Sequence, residues 1–497
     1  MDNPAFLNPD QESQHVSMYD VDWEGPDDPQ KPINWPKWKK RGIIIAVGAM
    51  RLTTPLASSM MSPALLNIGR DFPGTSDMIL SFTVSIYVIG FGIGPLILAP
   101  LSEVYGRNVI YHVSNVLFGI FTACCGLSPN IGALLAFRFA AGFFGGAPLT
   151  NSGGTVADLV PVQKRGFRSI MSILSACVLM GPVLGPIVGG FLTEAKGWRW
   201  IFWILTILSG ITSTICFIFL QETYSPVLLE WKARKLRWQT GDPLYMPKGQ
   251  SPKSLNQLLL TAITRPLRML GNPIILGTSL YLAVMYGIIY LLFTTFSVVF
   301  QSQYGFKEGI GGLVYLGLGV GTAIGIAAFG KSSDAIYTRL TTRHGEAKPE
   351  YRLLPLMPSA LAIPVGLFIY GWTSQYRLHW ILPIIGTSFC GFGIIGCVVH
   401  LNILVRLLAA NKILQASIQT YLVDGFTSYA SSALAANTLV RSLAGGLIPL
   451  GGLDLYDRIG LGWGNSLLAF LSIIFASSSV LFYTHGERLR KNSIGDN

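Results

Sequence analysis

The sequence predicts an all-α, polytopic integral membrane protein, and three observations support that fold class. Of its 497 residues, 51% are apolar and only 12% are charged, whereas a soluble protein carries about 25% charged residues. The mean hydropathy is +0.49. Apolar runs of about twenty residues, the length that crosses the hydrocarbon core of a bilayer, recur from Gly42 to Tyr483. These observations exclude a soluble enzyme, a disulfide-rich secreted module and a disordered scaffold.

Twelve membrane spans are predicted, in two groups of six. Their approximate bounds are 42–65, 78–101, 109–127, 131–156, 168–192, 200–220, 273–299, 309–330, 354–372, 379–423, 429–452 and 462–483. The predicted organisation is a disordered tail, acidic and then basic (1–41), an N-terminal six-helix bundle (42–221), a central loop (222–270), a C-terminal six-helix bundle (271–484) and a short tail (485–497). Paired bundles joined by a linker are typical of secondary transporters.

The distribution of lysine and arginine predicts the orientation. With a cytosolic N-terminus, 25 basic residues lie in cytosolic segments, six lie in outer loops and five fall inside apolar segments. Cytosolic segments of membrane proteins carry the excess of positive charge. We therefore expect both termini in the cytosol, and the net charge of +11 indicates contact with anionic lipid rather than nucleic acid.

Outside the spans we find no nucleophile–base pair, metal-ligand cluster or phosphate-binding loop. The six cysteines all lie in apolar runs without a Cys-x-x-Cys pair, which is typical of small packing residues. We therefore expect no enzymatic activity, no cofactor and no metal.

Span 2 ends in a turn that carries opposite charges. Glu103 and Arg107 lie four residues apart at a helix end, after Pro100 and on either side of Gly106. Such a group can latch one bundle to the other in one access state, with glycine allowing a tight turn. The alternative is a plain turn with a solvated ion pair, which stabilises little.

Span 5 has a run of glycines and prolines. Its members are Gly181, Pro182, Gly185, Pro186, Gly189 and Gly190. Proline removes backbone donors and kinks a helix, while glycine lets a neighbouring backbone approach closely. The run predicts a kinked helix at a bundle interface that suits rocking and sealing; generic helix packing is the alternative.

Span 4 contains Arg138 about seven residues from its start. An arginine within the membrane is costly and indicates a functional site. The alternative is an arginine near the outer interface that extends to the headgroups.

These motifs together resemble the major facilitator superfamily and, within it, the fungal twelve-span drug:proton antiporter family, over about residues 42–484. Residues 100–107 are similar to that family's span 2–3 motif, and residues 181–190 to its antiporter motif. Further matches lie at 138–142, 148–154, 197–202, 222–226, 286–290, 349–353 and 432–438. The resemblance implies a monomer in the plasma membrane, rather than the vacuolar membrane, that exports drugs, toxins, polyamines or secondary metabolites on inward proton flow. A polyamine or nutrient carrier on the same scaffold is the alternative.

The sequence gives fewer indications of the proton and substrate pathways. Acidic residues lie near span ends, so Asp158 and Glu222 are the candidates for proton coupling. Candidate cavity residues are Tyr281, Tyr286 and Tyr290 on one face of span 7, Asn151 on span 4 and Asn437 on span 11. The alternative for the tyrosines is an interfacial belt or core packing. Because the spans hold few negative charges, we expect a neutral or anionic organic substrate, such as a fungal secondary metabolite.

Span 10 is too long for one crossing. About 45 residues separate His379 from Asp424, and the simplest surplus is the 18 residues from 398 to 415. Removing them restores a span of ordinary length. The segment begins with Val398 and ends with Gln415. Valine codons begin with GT and one glutamine codon is CAG, which match the usual borders of an intron. We interpret residues 398–415 as a retained intron; a genuine insertion, as a re-entrant segment or broken helix, is the alternative.

Sequencing the transcript across codons 398–415 tests this interpretation. We expect a major message that lacks these 18 codons and keeps the reading frame. A message that always carries them would establish a genuine insertion.

Overall fold

A computed structural model describes residues 20–161, 165–247, 255–344, 356–397 and 425–495, and places a helix at each of the twelve predicted spans. In the N-terminal half these are Lys37–Ser59, prolonged by Leu65–Asp71 (span 1), Asp77–Tyr105 (span 2), Arg107–Gly126 (span 3), Ile131–Gly145 with Ala147–Leu159 (span 4), Arg165–Lys196 (span 5) and Arg199–Phe219 (span 6). In the C-terminal half they are Pro273–Tyr304 (span 7), Glu308–Leu313 with Tyr315–His344 (span 8), Leu356–Gln375 (span 9), Ile381–Cys397 (span 10), Gly425–Leu447 (span 11) and Gly452–Gly495 (span 12).

Nine helical stretches of the described residues are long and apolar enough to cross a membrane, and one of them, Ala435–Ser477, covers spans 11 and 12 together. Span 12 is interrupted at Gly460, whose φ is +81°. The helices of spans 9 and 10 fall outside the nine. The surplus at 398–415 and the acidic residue Asp424 lie outside the described residues.

Glycines let the helices approach one another backbone to backbone. In the N-terminal half, Gly90 and Gly94 of span 2 lie against the backbone of span 4, and Gly142 of span 4 lies against the carbonyl of Tyr87. No Cβ atom fits at any of these contacts. Because lipid provides no hydrophobic drive for helices to associate, such close contact is what holds membrane helices together.

Span 5 uses its glycines in two directions. It runs as one helix through Pro182 and Pro186. Gly181, Gly185 and Gly189 face the backbone of span 1. Gly190 faces the carbonyl of Glu308 at the start of span 8. The glycine run therefore joins span 5 both to its own half and to the opposite half.

The two halves meet away from the central loop. We call the side on which this loop leaves span 6 and enters span 7 the loop side, and the opposite side the far side. On the far side, the Gly309 N–H donates to Glu194 Oε2 at 3.0 Å, and Gln301 Nε2 donates to the Pro63 carbonyl at 3.3 Å. Span 2 also packs against span 11, where Gly92 faces Ser442.

The loop side carries a small extramembrane unit. Two helices of the central loop, Ser225–Thr240 and Leu255–Met269, lie here, and the second packs against both span 2 and span 11. The strand β1 (Asp20–Val21) pairs in parallel with β2 (Met246–Pro247). Thus β1, which belongs to the tail predicted to be disordered, lies against the central loop, and the short helix Pro32–Asn34 of the same tail contacts span 4.

Asp28 organises this segment. Its carboxylate accepts hydrogen bonds from the N–H groups of Glu24 and Gln30, at 3.0 and 2.8 Å, and these bonds lower the pKa of Asp28. Lys232 of the central loop forms an ion pair with Glu24 at 3.2 Å. Asp28 itself lies 4.0 Å from Lys232, and because its ionised form accepts the two N–H groups, the turn over residues 24–30 weakens as the pH falls through the lowered pKa of Asp28.

The glycine contacts of span 5 predict a stability difference between two identical substitutions. Gly189→Ala places a methyl group against the Met60 carbonyl, whereas Gly210→Ala on span 6 meets nothing within 4 Å. We expect the first to lower the unfolding free energy by about 1–3 kcal/mol, since an overpacked contact must shift the backbone. Thermal unfolding of the two purified full-length variants measures this difference in stability. Equal midpoints for the two variants would contradict the close span 1–span 5 contact.

Candidate functional site

A charged cluster on the loop side is built on the turn between spans 2 and 3. Gly106 has a φ of +97°, in the region that favours glycine, and a Cβ there would overlap the carboxylate of Glu222. That carboxylate, 4% exposed, accepts the N–H groups of Arg107 at 3.2 Å and Asn108 at 3.0 Å. Glu222 therefore caps span 3 from the segment after span 6, where its charge also complements the helix dipole.

Arg107 turns towards span 4. Its Nε lies 2.9 Å from Oδ2 of Asp158 in an ion pair, with each side chain less than one-fifth exposed. Its Nη1 donates to the carbonyl of Asn151 at 3.1 Å, and the guanidinium covers Gly154, where no Cβ fits. Asp158 also accepts from the hydroxyl of Thr223 at 3.2 Å. One ion pair thus connects the span 2–3 turn, span 4 and the start of the central loop.

The other predicted members of this motif lie around the cluster. Pro100 is buried within span 2, and Glu103 is exposed close to its end. The side chain of Asn151 is buried, and its Oδ1 accepts from the Ser102 hydroxyl at 3.2 Å. The structure therefore places Asn151 with the loop-side cluster rather than beside the tyrosines of span 7.

Arg138 is enclosed at depth in the N-terminal half. It is 1% exposed, so it does not extend to the headgroups. Its guanidinium donates to four backbone carbonyls of spans 1 and 2, those of Ala57, Ser58, Thr83 and Val84, at 2.9–3.4 Å. Its Cζ also lies 4.6 Å from the ring centroid of Tyr87. With its donors bound to carbonyls, Arg138 ties spans 1, 2 and 4 together.

The three predicted tyrosines of span 7 have different partners. Tyr281 lies 3.1 Å from Sγ of Cys397 on span 10, within the C-terminal half. Tyr290 donates to the hydroxyl of Ser58 at 3.3 Å, and so connects the two halves. Tyr286 is half-buried, its ring 5.6 Å from that of Tyr290. Only Tyr286 and Tyr290 therefore belong to the space between the halves.

Span 11 completes this central region. Asn437 is buried on it. One turn further along, Arg441 places its Cζ 4.7 Å from the ring centroid of Tyr286. Gly445 follows, where a Cβ would lie 3.2 Å from the ring of Tyr290. In the sequence Arg441 is one of the five basic residues inside apolar segments, and the structure places it against Tyr286.

The loop-side ion pair predicts a stability difference between two arginines. Arg107→Ala leaves Asp158 unpaired where it is largely buried, whereas Arg199→Ala breaks a far-side pair with Asp71 whose side chains are 41% and 45% exposed. We expect Arg107→Ala to cost on the order of 1–3 kcal/mol of unfolding free energy, and Arg199→Ala about 0–1 kcal/mol. Thermal unfolding in the same detergent compares them. A larger loss for Arg199→Ala would refute the structural role of the cluster.

Comparisons with known proteins agree with this architecture. The family model of the Major Facilitator Superfamily matches residues 47–449. The efflux pump radE of Floropilus chiversii is 44% identical over 492 residues, which cover 98% of this chain and 87% of the pump. The MFS-type transporter penM of Penicillium rubens is 45% identical over 474 residues, covering 95% of this chain and 89% of its own.

Solved structures of low sequence identity share the fold. A D-xylose–proton symporter has a TM-score of 0.63 at 16% identity, over 88% of this chain and 97% of its own. A POT family transporter in complex with a thioalcohol-conjugated peptide has a TM-score of 0.64 at 11% identity, over 93% of this chain and 98% of its own. The predicted superfamily, helical fold and lack of enzymatic activity are confirmed: the chain belongs to the Major Facilitator Superfamily and is a multi-pass membrane transporter.

Proposed function

We propose that this transporter exports small amphipathic organic molecules across the plasma membrane, as a monomer with both termini in the cytosol, and that inward proton flow drives export. The contact between the two halves is the observation that supports transport by alternating access. On the far side glycines bring the halves together, such as Gly190 against Glu308 and Gly312 against Pro186, with a few hydrogen bonds. Because glycine offers no side chain to interlock with the opposite half, such contacts can separate and form again.

The loop-side cluster supports a switching role for the span 2–3 turn. Arg107, Asp158 and Glu222 link this turn to span 4 and to the central loop. Because the central loop joins the two bundles, a change of charge in the cluster is transmitted to the connection between them. Protonation of Asp158 would remove its attraction for Arg107, and this is our proposal for where proton movement is coupled to bundle movement.

Export, rather than uptake, is supported by the relative that is named an efflux pump. The substrate class is supported by the residues between the halves. Tyr286 and Tyr290 offer aromatic rings, and Ile89 and Ile448 offer apolar surface beside glycines. Acidic residues of the described spans lie at the span ends or in the connections. A polyamine, which needs carboxylates, is therefore disfavoured.

Loss of the gene in the source organism tests export directly. We expect at least one small molecule to fall in the medium and rise in the cells, and a protonophore to produce the same change in cells that keep the gene. Restoring the gene carrying Arg199→Ala, whose far-side ion pair is exposed, provides the matched control and should restore release.

Three outcomes would contradict the proposal in different ways. A fall of the same molecule inside the cells would indicate uptake. Release that continues at full rate in the presence of the protonophore would contradict proton coupling but would agree with export. An unchanged set of internal and external molecules, with unchanged sensitivity to toxic compounds, would refute export.

A further inference from the structure

Arg441 differs from Arg138 in the partners of its guanidinium group. Arg138 donates to four backbone carbonyls. Arg441 is half-buried, and its Nε, which is shielded from solvent, has no hydrogen-bond acceptor in the described part of the chain. Its recorded contact is with the face of Tyr286. A shielded N–H donor without an acceptor carries the full cost of its lost hydration.

The position of Arg441 is central. Its neighbour Ser442 packs against Gly92, near the middle of the span 2 helix Asp77–Tyr105. The same stretch of span 11 meets span 2 again, where Gly446 faces Ile89. The guanidinium therefore lies at mid-depth beside the contact between the halves, where transporters of this architecture hold substrate and where an uncompensated charge is most costly.

Positive charge predominates among the described side chains of this region. Arg441 lies against the ring of Tyr286, whose neighbour Tyr290 donates to the hydroxyl of Ser58 in the opposite half, and Arg138 donates to the carbonyl of the same Ser58. The acidic side chains that the structure describes lie at span ends or in connections. Two guanidinium groups with no carboxylate of the described residues beside them attract an anion and repel a cation.

From these contacts we infer that Arg441 binds an acidic group of the exported molecule, a carboxylate or an ionised phenol or enol, while the Tyr286 ring packs against its planar portion. Guanidinium presents a fork of N–H donors that matches a carboxylate in a bidentate manner. The substrate thereby supplies an acceptor for the Nε of Arg441, which has none among the described residues. This inference rests on the proposed export function and adds to it the chemical class of substrate.

Binding of a matched pair of probes to the purified full-length protein in lipid nanodiscs tests it. The probes are 2-naphthoic acid and its uncharged methyl ester, which have the same ring system. We expect the wild-type protein to bind the acid more tightly than the ester. Arg441→Gln should weaken binding of the acid by about ten- to hundredfold and leave binding of the ester unchanged, because only the charge-assisted hydrogen bonds are lost.

Two further variants separate a specific effect from loss of structure. Arg441→Lys keeps the charge without the fork and should give an intermediate affinity for the acid. Arg458→Gln removes the same charge from an exposed position at the start of span 12, before Gly460, and should change neither affinity. Unchanged ester binding by Arg441→Gln shows that the site remains folded.

The inference fails if the wild-type protein binds acid and ester equally, including the case in which neither binds measurably, or if Arg458→Gln weakens acid binding as much as Arg441→Gln does. These results concern the purified protein, whereas export is measured in cells. A failed preference for acids therefore leaves the export result intact, and a failed export result leaves the binding result intact.

Discussion

A charge inside a membrane must find its partners inside the protein, and this constraint organises the molecule. Water is absent from the hydrocarbon core, so each buried donor requires an acceptor from the chain or from a ligand. Arg138 uses the carbonyls of two neighbouring helices, and Arg107 uses the carboxylate of Asp158. Each solution joins elements far apart in sequence, so satisfying the charge also fixes which helices are neighbours.

The same constraint explains why glycine is so frequent at the contacts. A guanidinium can reach carbonyls on two other helices only when their backbones are close, and that closeness requires residues without side chains. Gly142 of span 4 lies against Tyr87 of span 2, one turn from Arg138. At the loop-side cluster, Gly154 leaves the space that the Arg107 guanidinium occupies. Close packing of the helices and hydrogen bonding of the buried arginines thus depend on the same glycines.

The sequence predicted the helical spans and the family because hydropathy and motif spacing are local properties. It did not predict the partner of Arg107. The spacing of Glu103 and Arg107 at a helix end suggested a latch between the bundles or a solvated ion pair, but Arg107 lies beyond the positive φ of Gly106 and pairs with Asp158 of another span in the same half. It also could not separate Arg138 from Arg441, since both stand in apolar runs. Each lies over a tyrosine ring, and the difference between them is that Arg138 donates to backbone carbonyls whereas the Nε of Arg441 has no acceptor among the described residues.

A buried arginine N–H without an acceptor is costly, so we expect one only where another molecule supplies the acceptor. If the chain supplied a carboxylate to Arg441, an acidic substrate would first have to displace that partner, and binding would gain little free energy. The Tyr286 ring holds the guanidinium by a cation–π contact, which is weaker than a bidentate carboxylate pair. The guanidinium is therefore held in place while its Nε has no acceptor among the described residues. An arriving acid lowers the free energy by accepting that hydrogen bond.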